Sequence, residues 1–338
     1  MRAIVLFFLI SGMLTACGSS GNADKKEANL EGKLQIVSTI KPIQAIVLAI
    51  AGEHAQSDQL IPDYASPHNY SFKPSDIRKV KRANVIFRID EHMESQLNVV
   101  FDDLTDSTTL ISLAEVSGMT ILEMDNNEHH HGDEYVEKSK HESEHDEDTN
   151  HTEGSNKEDN HEEGSDHGNT DFHIWTSTKN AAIIASAIAK TLSELDSNNA
   201  AHYQRNLEGF KQSLKQESEE ITSALAKHKS DAYIVFHNSW QYFANEFGLQ
   251  KPIVIDLHEG VSSGAKTVNK IRNTIENTNI KCVFYDASVS EERLTLLAKK
   301  VNTSKIDVLA NAIEMNQSAY INWLRQLGEQ VDTCLSAN

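Results

Sequence analysis

The sequence contains few cysteines and no motif that places two of them close together. Its 338 residues include three, Cys17, Cys282 and Cys334, and none belongs to a Cys-x-x-Cys motif. The absence of this spacing excludes a thioredoxin-like redox site and a cysteine-based zinc site. The short matches to His-Glu-x-x-His at residues 141–145 and to Gly-x-Ser-x-Gly at residues 260–264 lie outside the predicted helices and strands, so neither indicates a metalloprotease or a serine hydrolase.

Positive charge is scarce as well. The chain has 31 Lys and Arg against 50 Asp and Glu, which gives a formal net charge of −19. Proteins that bind nucleic acid need basic faces, so this charge argues against that function class. Residues 128–168 carry 15 Asp and Glu but only 3 Lys, and they hold 8 of the 16 histidines. Most of the charge imbalance therefore lies in one short segment.

Long apolar runs are missing after the N-terminus. The run over residues 3–14 follows Arg2, is too short to span a bilayer and is typical of a signal peptide. The sequence Leu14-Thr15-Ala16-Cys17 resembles a bacterial lipobox, in which cleavage leaves a lipidated cysteine. We expect residues 1–17 to be removed or modified in this way, and the mature chain to be extracytoplasmic, lipid-anchored through Cys17 in the periplasm or at the cell surface. An ordinary signal peptide with an incidental cysteine is the alternative.

Once Cys17 carries lipid, two cysteines remain. Cys282 and Cys334 are then left to pair in an oxidising compartment. Closing that loop would stabilise the fold by about 4 kcal/mol on the chain-entropy estimate.

The order of apolar patterns predicts the fold class. Short apolar strands alternate with helical patterns on both sides of residues 128–168, which is typical of parallel α/β sheets flanked by helices. Apolar residues at a spacing of 3–4 predict one long helix from about Ser197 to His228. We predict a tether, an N-terminal lobe, a linking helix and a C-terminal lobe, over residues 18–32, 33–195, 196–229 and 230–338.

Three further expectations are more local. The pattern predicts a helix over residues 92–104 and a last strand over Lys305 to Leu309. His228 lies near the end of the long helix, and we expect its side chain to be exposed.

The acidic segment 128–168 has almost no apolar residues, so we expect it to be a disordered loop within the N-terminal lobe. One interpretation is a solvated spacer. Because imidazoles and carboxylates both bind divalent ions, the interpretation we favour is an accessory metal-collecting loop. Its candidate ligands are His129, His130, His131, His141, His145, His151, His161 and His167.

Three other histidines stand beside bulky or conformationally stiff residues. They lie in Ser66-Pro67-His68-Asn69-Tyr70, in Asp171-Phe172-His173-Ile174-Trp175 and in Phe236-His237-Asn238-Ser239-Trp240. Prolines stiffen the first loop, and His237 follows a predicted strand, where ligands of α/β sheets gather. Three neutral imidazoles with an open fourth position form a known type of zinc site.

These three motifs, in this order, resemble those of the zinc-specific substrate-binding proteins of ABC transporters, the ZnuA-like family. The acidic histidine-rich insert and the pair Cys282 and Cys334 also resemble that family. The resemblance covers the chain from about residue 33 onward. It implies two lobes joined by one long rigid helix, little hinge motion, and Zn²⁺ bound in the cleft by His68, His173 and His237. It also implies an ABC permease in the membrane as the partner.

We therefore expect a monomeric, non-enzymatic protein that binds Zn²⁺ and delivers it for uptake. Two alternatives belong to other classes. Three histidines and a bound water could serve a zinc hydrolase or hydratase, although no base is evident. A metal-dependent surface adhesin is the other.

The choice of metal rests on which ligands are missing. Relatives often carry a Leu-Asp-Pro-Leu-Gly stretch, and the corresponding region here reads Leu309-Ala310-Asn311-Ala312-Ile313, without a carboxylate. Three nitrogen donors suit zinc, whereas carboxylate and water suit manganese. Asp286 and Glu291 are candidate acidic neighbours of the cleft.

Overall fold

The computed structural model describes residues 32–105, 107–124, 170–239, 241–255, 265–286, 289, 294, 298 and 301–337. Its first sheet has four parallel strands in the order β2-β1-β3-β4. The chain adds β2 on one side of β1 and then crosses to add β3 on the other. These strands are β1 (Leu34–Ser38), β2 (Ala55–Gln59), β3 (Val85–Arg88) and β4 (Thr109–Ser112).

The second sheet repeats this arrangement in the order β10-β9-β7-β8, again with all strands parallel. Its strands are β7 (Ala232–Val235), β8 (Ile253–Val254), β9 (Ile280–Tyr285) and β10 (Asn302–Lys305). A separate antiparallel ribbon pairs β5 (Leu122–Glu123) with β6 (Thr170–Asp171).

Helices surround both sheets, which confirms the predicted α/β class. In chain order the described helices are α1 (Lys41–Ala51), α2 (Pro74–Arg82), the short α3 (Asn98–Phe101), α4 (Thr178–Leu195), α5 (Ala200–Leu225), α6 (Gln241–Phe247), α7 (Ala265–Asn277) and α8 (Ala319–Ser336). Several ends follow their sequence signals. Pro42 opens α1, Gly52 ends it with a φ of 56°, and the Ser177 hydroxyl caps α4 by accepting from the Asn180 N–H.

Helix α5 is the predicted long helix. Its 26 residues span about 39 Å, and a 3₁₀ turn extends it at each end. One face is buried at a spacing of three to four residues, from Tyr203 to Leu225. The polar residue in that stripe, Glu217, is buried and binds Arg325 of α8 at 2.5 Å. An ion pair therefore occupies the position where the apolar pattern breaks.

The main hydrophobic core is continuous from the first sheet to the second. Helix α8 packs against α1 and α5 as well as against β9 and β10. The same core cluster contains Phe87 of β3, Phe210 of α5 and Phe284 of β9. A smaller cluster around Ile234 and Val283 fills the other face of the second sheet. The expected disulfide between Cys282 and Cys334 is present and ties β9 to α8.

The region predicted as a helix over residues 92–104 is mostly irregular. Only α3 and a preceding 3₁₀ turn, Ser95–Leu97, are helical. The buried Glu94 carboxylate accepts from the backbone N–H groups of Ile89 and Asp90, which folds the chain back just after β3. This side-chain bond to the backbone replaces the first turn of a helix.

Two other expectations were wrong in detail. The last strand, β10, ends at Lys305, where the predicted strand begins, and the apolar Ile306 and Val308 enter the core after it. His228 is buried, because Asp231 and Asp332 contact its two ring nitrogens at 2.7 and 2.9 Å. Strand β4 was not predicted, although its sequence Thr-Leu-Ile-Ser suits a strand.

Candidate metal centre

His68 lies in the loop between β2 and α2, and its backbone is well anchored. Gln96 donates to the His68 carbonyl at 3.1 Å, and the His68 N–H donates to the Ser66 hydroxyl at 3.3 Å. Downstream, the Tyr70 hydroxyl donates to Asp76 at 2.6 Å, and the same carboxylate caps α2. The imidazole of His68 makes no hydrogen bond to any described residue, so its backbone is fixed while its ring is available to a ligand.

His173 follows the ribbon strand β6 and is buried. One oxygen of Asp171 accepts from both the backbone N–H and Nδ1 of His173, at 2.9 and 2.8 Å. This bond fixes the ring and leaves Nε2 to bind a metal, as in many metal-binding histidines. The strand itself is held by helix α6, because the Tyr242 hydroxyl donates to the Asp171 carbonyl at 2.5 Å and accepts from the Leu122 N–H at 3.0 Å.

His237 lies just beyond the carboxyl end of β7, as predicted. Its Nδ1 is 3.5 Å from Asp286, which follows β9. Strands β7 and β9 are neighbours at the point where the strand order of the second sheet reverses. Ligands of open α/β sheets bind in the crevice formed there. The second sheet therefore presents His237 and Asp286 at the position expected for a ligand site.

The structure brings these three histidines together. Their ring centroids are 4.9 Å apart for His173 and His237, 5.6 Å for His68 and His173, and 5.8 Å for His68 and His237. One nitrogen from each ring lies within 4.8 Å of the others. In a tetrahedral zinc site with Zn–N bonds of 2.0–2.1 Å, ligand nitrogens are about 3.3 Å apart. Small side-chain movements are enough to close this gap.

The electrostatics keep two of the imidazoles neutral. Although His68 is exposed by its surface area, desolvation by the surrounding groups lowers its pKa to about 4, and the neighbouring His173 and His237 lower it further. Burial also lowers the pKa of His173, although the hydrogen bond and the charge of Asp171 oppose this. A neutral imidazole has a lone pair for a metal, so near neutral pH neither ring must lose a proton first.

Comparison with known proteins gives these residues a context. A family model described as "Zinc-uptake complex component A periplasmic" matches residues 36–334. The chain belongs to this family.

Individual relatives agree with that assignment. The "High-affinity zinc uptake system protein ZnuA" of Brucella suis biovar 1 (strain 1330) is 31% identical over 343 residues, which cover 99% of this chain and 100% of the relative. The protein of the same name from Yersinia pestis is 30% identical over 302 residues, 89% of this chain and 91% of the relative. A crystal structure of ZnuA has the same fold, with a TM-score of 0.69 at 24% identity over 90% of this chain and 100% of that one.

Beyond the three histidines, this member of the ZnuA family offers few metal ligands near the centre. Among the described residues, no carboxylate joins the cluster. Asp307 lies two residues before the Leu309–Ile313 region, and both of its oxygens accept hydrogen bonds within its own loop. Its two oxygens accept from the Asn311 amide at 2.9 Å and from the Ala312 N–H at 2.7 Å.

Asp171 is the contact that the sequence analysis missed. A signal for it existed, because an Asp two residues before a His readily accepts from that residue's backbone N–H. Within the part of the chain that the structure describes, the same arrangement occurs once more, where Asp90 accepts from the backbone N–H and Nδ1 of His92, both at 2.8 Å. His92 stacks on Phe172 and is not part of the cluster.

The remaining candidates lie outside the described residues. They are Cys17, Glu291 and the eight histidines of residues 128–168.

Proposed function

We propose that this protein captures Zn²⁺ outside the cytoplasmic membrane and delivers it to an ABC permease for uptake. The observation that carries the proposal is the convergence of His68, His173 and His237, which come from separate loops and reach within 4.8 Å of one another. Membership of a family described as a periplasmic zinc-uptake component supports the transport role. In this proposal Zn²⁺ is the transported cargo, held by three nitrogen donors with water or a mobile acid in the fourth position.

A zinc titration in the presence of a competing chelator tests this proposal directly. The chain without residues 1–17 should contain one tight site, and replacing His68, His173 or His237 with Ala should remove it without unfolding the protein. Loss of one of three ligands should weaken binding by at least about 100-fold, more than is typical when only a residue that orients a ligand is lost. Unchanged tight binding in all three variants would contradict the site assignment.

The proposed location follows from the N-terminus and the family. We infer an extracytoplasmic protein, anchored in the membrane by lipid on Cys17 after a signal peptide of residues 1–17, and monomeric. Among the described residues, no helix has the length and apolar character needed to cross a bilayer. Metabolic labelling with a radioactive fatty acid should mark the wild-type protein and leave a Cys17→Ala variant unmarked.

We further propose that residues 33–195 and 230–338 act as two lobes around the metal, with 196–229 as the linking helix. The eight histidines between residues 128 and 168 would form weaker accessory sites. Deleting this segment should lower the zinc stoichiometry and preserve one tight site. Loss of the tight site would show that the segment is not an accessory.

The centre has the ligands of a zinc enzyme, but we propose that it does not catalyse a reaction. One nearby carboxylate, Asp171, is engaged with His173, and Asp286 lies beside His237. Zinc-loaded protein should therefore not accelerate the hydrolysis of esters or the hydration of carbon dioxide. Cells that lack the protein should fail to grow only in zinc-poor medium, and added zinc should restore their growth. This result distinguishes a role in zinc uptake from a role in adhesion.

A further inference from the structure

Four residues form a hydrogen-bonded contact between the loops of the two sheets, which we call the clasp: Lys41, Asp63, Tyr64 and Asn311. The Asn311 side-chain oxygen accepts from the Tyr64 N–H at 2.8 Å. The Asn311 carbonyl accepts from the ammonium group of Lys41 at 2.8 Å, and this buried lysine also binds Asp63 at 2.9 Å. The clasp therefore connects the segment after β10 to the segment after β2 that continues to His68.

Backbone strain is concentrated at this contact. Among the described residues, only two other than glycine have a positive φ, and they are Tyr64 at 66° and Ala310 at 55°. Both lie at the clasp, one on each side. Tyr64 is 67% exposed, so burial of its side chain does not explain its conformation. Strained backbone persists where surrounding contacts hold it, and it is concentrated at functional sites.

The orientation of the Asn311 amide is set by its neighbours. Its nitrogen donates to Asp307 at 2.9 Å, and a carboxylate can only accept. The amide oxygen must therefore face Tyr64. A second oxygen of Asp307 holds the Ala312 N–H, which fixes the backbone next to Asn311.

We propose that Asn311 is a positioning residue for the metal centre, acting through Tyr64 on His68. Tyr64 precedes His68 by only four residues, and the buried Pro67 between them restricts the backbone. By holding the turn at Tyr64, Asn311 keeps the His68 ring close to His173 and His237, and opening the clasp would release the metal. This inference rests on the zinc-binding function proposed above.

The rate at which Zn²⁺ leaves the mature protein tests the inference. Zinc-loaded protein is mixed rapidly with an excess of a chromogenic chelator, and the slow phase is assigned to the tight site by its absence from His173→Ala. Asn311→Ala should release zinc roughly five- to tenfold faster in this phase, which corresponds to the loss of one or two hydrogen bonds. Asn316→Ala is the matched control, because Asn316 lies on the same connection and its side chain accepts only from Ser318 among described groups.

A second readout separates positioning from general stability. Zinc raises the melting temperature of a protein that binds it, and this increase should shrink in Asn311→Ala. A purely structural role would lower the melting temperatures of the metal-free and loaded forms equally. Lys41→Met opens the same clasp from another residue. The double variant Lys41→Met/Asn311→Ala should therefore release zinc little faster than the faster of the two single variants.

The outcomes can be told apart. Equal release rates in Asn311→Ala, Asn316→Ala and wild type would overturn the positioning role while leaving the zinc site intact. A wild-type chain without any slow zinc phase would overturn the proposed function and this inference with it.

Discussion

The three clustered histidines receive unequal support from their surroundings. His173 is buried and doubly bound to Asp171, His237 lies 3.5 Å from Asp286, and the His68 ring has no hydrogen-bond partner among the described residues. The His173 ring is therefore the best fixed of the three, and we expect it to need the least rearrangement to bind a metal. The motifs predicted which histidines would meet. They did not reveal this order, because it depends on contacts between side chains.

The role of Asp171 can be tested with a variant of the same shape. Asp171→Asn keeps an oxygen that can accept from His173 but removes the charge that favours a bound cation. Zinc affinity should fall by about 10- to 100-fold, as is typical for a partner that orients a metal ligand. Asp90→Asn is a matched control, because Asp90 binds His92 with the same geometry outside the cluster. Equal affinities in the two variants would contradict an orienting role for Asp171.

Glu94 predicts a pH dependence of stability. Its carboxylate is 1% exposed, and burial raises its pKa to about 7 from an ordinary value of 4.5. A raised carboxyl pKa means that the folded state binds the proton more tightly. The stabilisation is complete below pH 4.5 and is lost as the pH rises through 7.

Glu94→Gln removes this titration and retains an oxygen for the N–H groups of Ile89 and Asp90. Relative to wild type, its free energy of unfolding should rise by about 2–3 kcal/mol between pH 4.5 and 8. Urea denaturation at both pH values measures this difference, with Glu91→Gln on the same loop as the matched carboxylate-to-amide control. If the free energy of unfolding of Glu94→Gln differs from that of wild type by the same amount at both pH values, the raised pKa of Glu94 is refuted.

At the scale of elements, sequence patterns located the long helices better than the short irregular segments. The stripe of α5 and the cap of α4 depend on local spacing and are visible in the sequence. The predicted helix over residues 92–104 was wrong at its start because the buried Glu94 reorganises the chain there, and burial is set by the whole fold. The end of β10 was misplaced for a related reason. Ile306 and Val308 are apolar, which predicts that the strand continues, but they enter the core after the strand has ended.

The packing of α8 on α5 leads to a prediction for a single glycine. A Cβ added at Gly328 would lie 2.8 Å from Cγ1 of Ile221, a buried residue of α5. Gly328→Ala should therefore destabilise the protein by about 1–3 kcal/mol through overpacking, despite the better helix propensity of alanine. Thermal or urea unfolding measures the effect.

Gly209 is the control for that experiment. It lies within α5, and nothing approaches its position within 4 Å. Gly209→Ala should stabilise by up to about 1 kcal/mol, because only helix propensity changes. Adding Ile221→Ala to Gly328→Ala should relieve the clash. If both glycine variants are stabilised, α8 and α5 do not pack as closely as the structure indicates.

At the scale of the whole molecule, the two sheets are joined by more than one helix. Besides α5, helix α8 reaches back to α1, and Glu246 of α6 accepts from the Thr178 N–H at the start of α4. The Trp175 indole donates to the Val308 carbonyl at 2.9 Å. These contacts agree with the limited hinge motion that the family resemblance implies. They place both sheets' histidine loops on a shared, well-packed base.

The final prediction concerns which metal the histidine cluster selects. The cluster offers three nitrogen donors, and Asp307, two residues before the Leu309–Ile313 region, accepts from Asn311 and Ala312. Nitrogen-rich sites of low coordination favour zinc, whereas manganese favours oxygen ligands. We therefore expect tight Zn²⁺ binding and weak Mn²⁺ binding at the single tight site.

Competition between the two ions should be measured on a chain without residues 128–168, so that the eight additional histidines do not contribute. Strands β5 and β6 are antiparallel neighbours, and after the deletion five residues, 124–127 and 169, remain between them in the sequence. The deleted segment lies between the paired strands β5 and β6, so the ribbon is retained and the deletion should leave His173 in place. Comparable affinities for the two ions would mean that a carboxylate joins the metal on binding. Asp286, already beside His237, would then be the first residue to replace with Asn.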